Sequence, residues 1–255
     1  MILVTGASGT LGSMLVPLLT ARGEQVRALS RHRRDGSVGS CVWVAGDLDS
    51  GAGLDEAVDG ADVIVHAASN TRRQGKGDTG AAWRLIEAAK RGGRHPHLLY
   101  ISIVGVDRHP MKYYRTKYEV EQAVEGSGLP FTILRTTQWF QLLDAFLGVA
   151  AKSPLMPAPG LPFQPLDAAE AAARLAELAV GAPAGRAEDM GGPEVLTVRD
   201  LARSWLAATG KHRVLVPLPL PGKVGRAFRD GRHNAPEHKV GKATWAEYLA
   251  GEYGR

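Results

Sequence analysis

Gly6-Ala7-Ser8-Gly9-Thr10-Leu11-Gly12 decides the fold of this 255-residue chain, because of what flanks it. Before it stands the short apolar run Met1-Ile2-Leu3-Val4; after it Leu11, Leu15, Leu18 and Leu19 recur at helical spacing up to Gly23. A strand, a glycine turn and a helix in that order form a cradle for a pyrophosphate. Bare backbone lets the anion come close, and the first N–H groups of the helix offer hydrogen bonds and the positive end of its dipole. Side chains at Gly6, Gly9 or Gly12 would obstruct either that approach or the packing of helix on strand. Ser8, Thr10 and Leu11 are the remaining candidate contacts within the turn.

Working outward, strands are expected over Gln25–Ser30, Val42–Val44, Asp62–Ala67, Leu98–Ile103 and Phe131–Leu134, with helices over Gly80–Arg91 and Thr116–Glu125 between them. Apolar strands alternating with helices imply a doubly wound α/β fold of the Rossmann type, its parallel sheet covered on both faces. The whole chain reads as one nucleotide-binding domain, residues 1–255, in which residues 138–255 form a small substrate-side lobe. Ala151–Pro165 is proline-rich and reads as a long irregular binding loop. Helices follow over Asp167–Val180 and over Val198–Thr209, the second with Thr197 as N-cap and Gly210 as its stop. Thr244-Trp245-Ala246-Glu247 is a capping box opening a last helix.

The second strand ends in Ser30-Arg31-His32-Arg33-Arg34, without the carboxylate that would hold the ribose hydroxyls of NAD. Guanidinium groups suit a 2′-phosphate instead, so NADP(H) is the expected cofactor, with Arg31 as first contact and Arg33 or Arg34 as auxiliaries. Asp47 and Leu48, after the third strand, would lie near the adenine. Ala67, Ala68 and Ser69, at the carboxyl end of the fourth, would pass beneath the cofactor.

ILVTGASGTLG at the start, Gly46-Asp47-Leu48, YISIVGV at Tyr100–Val106, YYRTK at Tyr113–Lys117 and LRTTQWF at Leu134–Phe140 together resemble the short-chain dehydrogenase/reductase superfamily, in its atypical NmrA-like and isoflavone-reductase-like branch. The resemblance runs from Met1 to about Asp167. It implies strand order 3-2-1-4-5-6, an NADP(H) site that also takes in Thr136, and a substrate pocket roofed by the C-terminal part. Tyr113 and Lys117 are four apart and share one helical face. In the family's pattern the tyrosine exchanges a proton with the substrate oxygen, the lysine holds the ribose, and Ser102 binds the same oxygen.

The expected function is thus an NADP(H)-dependent oxidoreductase acting on a small, partly apolar carbonyl, quinone or enone. A non-catalytic NADP(H) sensor and a nucleotide-sugar epimerase or dehydratase are the alternatives. The formal charge of +5 suits an anionic partner, but no reading helix or stacking platform points to nucleic acid. The lone Cys41 excludes an internal disulfide, and with no basic leader and no apolar run of membrane length the expected location is the cytoplasm. His95-Pro96-His97 lacks the further ligands of a metal site. Trp139, Phe140, Phe146 and Phe163 read as core or as walls of an apolar cavity.

Overall fold

The computed structural model describes residues 1–31 and 40–254. Its elements run β1 (Ile2–Thr5), α1 (Thr10–Ala21), β2 (Val26–Ser30), β3 (Cys41–Ala45), α2 (Leu54–Val58), β4 (Val63–His66), α3 (Asp78–Arg91), β5 (His97–Ile103), α4 (Lys112–Glu125) and β6 (Phe131–Thr136). There follow α5 (Phe140–Ala150), β7 (Leu155–Pro157), β8 (Pro162–Phe163), α6 (Ala168–Val180), β9 (Gly185–Arg186), β10 (Leu196–Thr197), α7 (Val198–Thr209), β11 (Val214–Val216), α8 (Gly222–Arg229) and α9 (Trp245–Tyr253). Two compact units result. One comprises residues 1–102, 112–135 and 171–187; the other comprises 103–111, 136–170 and 188–255.

The first unit carries a seven-stranded sheet of order β3-β2-β1-β4-β5-β6-β9, the expected 3-2-1-4-5-6 with one short strand added at the edge. β1 pairs in parallel with β2 on one side and β4 on the other. The chain therefore reverses its direction of travel across the sheet at β1, and right-handed crossovers put the two sets of helices on opposite faces. Such a reversal leaves a crevice at the carboxyl ends of β1 and β4, where ligands of open α/β sheets bind. Leu54, Leu85, Ile86, Val120 and Val124 from α2, α3 and α4 close one face over Leu3, Ile64, Leu98 and Tyr100.

In the second unit Phe140, Leu143 and Leu147 of α5 pack with Leu201 and Trp205 of α7 and Trp245 and Leu249 of α9. Asp144 on α5 ties these helices together, accepting from Trp205 Nε1 at 2.6 Å, Tyr248 Oη at 3.0 Å and Tyr253 Oη at 2.8 Å. Two caps read from the sequence are present: Thr197 accepts from Asp200 N–H, and Thr244 and Glu247 form the reciprocal capping box. The segment from Ala151 to Pro165 corrects the expectation of an irregular loop. It contains β7, parallel to β11, and β8, antiparallel to β10, so its backbone groups are satisfied by short strand pairs. Phe140 is core, whereas Phe146 is exposed.

Candidate functional site

The glycine turn is shaped by its own neighbours. Gly6 has φ +69°, and a Cβ there would come within 2.7 Å of the Ala67 carbonyl and Ala68 nitrogen, so the loops after β1 and β4 touch backbone to backbone. A Cβ on Gly12 would lie 2.3 Å from Gly6 O and 2.5 Å from Ala7 Cα. Gly9 differs, since its Cβ would meet only Gly6 O, at 3.3 Å. Gly6 and Gly12 are thus demanded by the fold, while Gly9 leaves open space above the turn. No side chain caps the start of α1 at Gly9, and no acid sits in its first turn. The N–H groups that open the helix keep their capacity for an anion. This cradle fits the pyrophosphate of a dinucleotide.

Around the cradle, Arg31 lies exposed just past β2, close enough to Asp47 for its charge to help lower that carboxyl below the usual range. The larger causes are hydrogen bonds to the Asp47 side chain from Asp49 N–H at 3.1 Å and Ser50 Oγ at 2.9 Å. Leu48 is half-buried against the core. Ala67 N–H donates to Thr5 O and Ala68 N–H to Thr5 Oγ1, which fixes the strap after β4. Arg33 and Arg34 lie outside the described residues. Thr136 belongs to the second unit, where its hydroxyl accepts from Trp139 Nε1 at 3.0 Å.

The three residues suited to proton chemistry fall in the first unit. Tyr113 and Lys117 stand one turn apart on α4, which begins at Lys112 and so is already helical at Tyr113. Ser102, near the end of β5, is buried, and its hydroxyl finds no hydrogen-bond partner among the described residues. Lys117 is buried, donates from Nζ to Ile101 O at 2.8 Å and lies 4.4 Å from the centre of the Tyr100 ring. Burial lowers its pKa to about 8, against the opposing pull of Asp78 and Glu121, so it remains mostly charged at neutral pH. Burial raises the Tyr113 phenol above its ordinary value, a hydrogen bond with Ser69 opposes that, and the charge of Asp78 adds to it.

One neighbour, Asp78, escaped the sequence reading. Asp78 is the first residue of α3, one side of a cluster with Ser69 and Tyr113, and it accepts from Ser69 Oγ at 2.6 Å and Asn70 N–H at 2.9 Å. An acid at a helix start reads as ordinary helix chemistry, and nothing local marks it as a partner of a tyrosine 35 positions later. His66, fully buried between Thr5 Oγ1 and the Tyr100 ring, is pushed down to about 4 by desolvation first and then by the Lys117 charge, so it stays neutral. In the second unit His109 is buried against Phe228. His97 is buried at the start of β5. Its Nε2 lies 2.8 Å from Thr132 Oγ1, and no cluster of three or more metal-binding side chains occurs among the described residues.

The model of a family described as NAD(P)H-binding matches residues 6–142. The chain spans only 8% of the length of the first curated relatives it matches, uncharacterized mycobacterial proteins 40% identical over 67 residues. A (4-alkanoyl-5-oxo-2,5-dihydrofuran-3-yl)methyl phosphate reductase of Streptomyces griseus is 31% identical over 209 residues, covering 78% of this chain and 71% of the relative. Among solved structures, an NADPH-dependent quinone oxidoreductase from Escherichia coli complexed with NADPH superposes with a TM-score of 0.77 at 20% identity, covering 98% of this chain and 99% of that one. A nucleoside-diphosphate-sugar epimerase from Staphylococcus aureus gives 0.75 at 17% identity, covering 97% and 99%. These two likenesses speak for the fold. With the glycine turn at the β1/β4 crevice and the matched residues spanning more than half of the sequence, the chain belongs to the NAD(P)H-binding family.

Proposed function

We propose that the protein is an NADP(H)-dependent oxidoreductase that reduces a small, partly apolar carbonyl, quinone or enone. The observation that carries the reading is the grouping, in the unit that holds the glycine turn, of a protonated Tyr113, a charged Lys117 one helical turn away, and a buried Ser102 hydroxyl awaiting a partner. The turn and the opening N–H groups of α1 would hold the pyrophosphate, Arg31 the 2′-phosphate, with Ala67 and Ala68 along the rest of the nucleotide. Bound there, the nicotinamide supplies a hydride. Ser102 then donates to the substrate oxygen, Tyr113 gives that oxygen its proton, and the Lys117 charge favours the phenolate left behind. The reductase named for the Streptomyces griseus relative supports this class of reaction over sugar epimerisation.

The test is to follow NADPH oxidation by absorbance across quinones, aromatic ketones and enones. Tyr113→Phe is expected to retain NADPH binding and to lose roughly 10²–10⁴-fold in turnover, the contribution of a positioned general acid. Tight NADPH binding with no compound consumed would put the sensor reading ahead.

A further inference from the structure

Resting on that reading, we propose that Asp78 and Ser69 form a relay that holds the hydroxyl of Tyr113 and returns a proton to it after each turnover, with Asp78 as the group that exchanges protons with solvent water. Ser69 Oγ lies 2.6 Å from Asp78 Oδ2 and 3.1 Å from Tyr113 Oη. A serine hydroxyl has one proton, and here it is spent on the carboxylate. Tyr113 is therefore the donor in its bond to Ser69, so the three groups form a chain in which every hydroxyl proton has an assigned acceptor. Asp78 is itself held, since its other oxygen accepts from Asn70 N–H at 2.9 Å. The wire is short and buried: Asp78 is 7% exposed. It leads from α4, through the strap after β4, to the first turn of α3.

The proton count closes on these side chains plus water. When the Tyr113 O–H bond breaks, its proton forms the new O–H bond on the reduced substrate and a phenolate remains. That phenolate takes the proton of Ser69 Oγ, and Ser69 Oγ takes a proton that Asp78 has received from water. One proton enters from solvent and one leaves in the product, with no change of oxidation state in the relay. Ser69, expected as a nucleotide contact, gives the one proton of its hydroxyl to this chain.

The relay separates the first turnover from the next. With menadione as probe, Ser69→Ala is expected to slow steady-state NADPH oxidation roughly tenfold or more beyond any slowing of the first turnover. A variant in which the first turnover and the steady state slow together would overturn the reloading role. Carbon-13-labelled tyrosine, with the Tyr113 signal assigned by Tyr113→Phe, supplies a readout free of turnover. Asp78→Asn should lower the pH at which Tyr113 ionises by about one unit, because a negative charge is removed, whereas Ser69→Ala should raise it, because a donor to the phenolate is lost. Midpoints that stay put, or move in the same direction, would overturn the relay. A wild type that consumes no quinone defeats the reductase reading alone, and opposite shifts would then still show that Asp78 and Ser69 govern the Tyr113 proton.

Discussion

At the scale of the residue, the proposed preference for NADP(H) rests on Arg31. It is exposed beyond the last residue of β2, beside Asp47, and has no structural load in the core. A guanidinium–phosphate contact is charge-assisted and contributes about 1.5–3 kcal/mol, so Arg31→Ala should weaken NADPH binding roughly ten- to a hundredfold. NADH lacks the 2′-phosphate and should bind the variant as it binds wild type. Calorimetry decides, and equal wild-type affinities for the two nucleotides would reject NADP(H) as the cofactor. Glycine variants must be chosen with the same care for what each residue touches. Gly9→Val obstructs the space above the turn against a single 3.3 Å neighbour, whereas any side chain on Gly12 collides with the backbone of Gly6 and Ala7. Loss of binding in the second would report damage to the turn.

At the scale of the element, α4 holds a charge as well as the proposed chemistry. Glu121, fully buried on α4, takes both Arg135 of β6, through Nε at 2.9 Å and Nη2 at 2.6 Å, and Arg186 of β9, at 3.2 Å. Breaking a buried ion pair from one side is costly, about 3–5 kcal/mol, because the remaining charge loses its partner in a poorly solvated place. Glu121→Ala should show that loss in urea unfolding, against a change within about 0.5 kcal/mol for Glu177→Ala, which breaks only the exposed pair with Arg174. This triad explains why the sheet gains its seventh strand from two residues. Nothing in Gly185-Arg186 has strand periodicity, and the sequence reading passed over it. The elements that did show through, β1 to β6 with α1, α3 and α4, are short apolar runs bounded by turns or helices with period-3.6 apolar patterns. The helix α5, Phe-Gln-Leu-Leu-Asp-Ala-Phe-Leu-Gly-Val-Ala, was missed because it is apolar on more than its core face, with Phe146 and Val149 exposed. The candidate site divides in the same way. Its glycines and the Tyr113–Lys117 spacing are local and legible, whereas Asp78 reaches Tyr113 only through Ser69 and three separate elements.

At the scale of the whole molecule, both units bury histidines that must stay neutral. In the first, His66 has a pKa of about 4; in the second, His109 and His233 lie near 4 and 3, each depressed by burial first and then by a neighbouring positive charge or imidazole. In the unfolded chain they would titrate near 6.5. Above that value neither state binds the protons and stability is unaffected; below it the unfolded chain alone is protonated, so stability falls as pH drops from about 6.5 towards 4. Each such histidine contributes a slope of about 1.4 kcal/mol per pH unit in that window. Urea midpoints measured between pH 7.5 and 4.5 check this, and a flat profile would mean that the imidazoles are solvated. The contacts of the glycine turn bear on the whole molecule in another way. Because Gly6, Gly12 and the Ala67 strap shape one another without help from a ligand, the nucleotide meets a surface already set in its binding form. Little chain entropy is left to lose on association at this turn, and capture there follows the frequency of collision, with no slow rearrangement of the turn standing between encounter and complex.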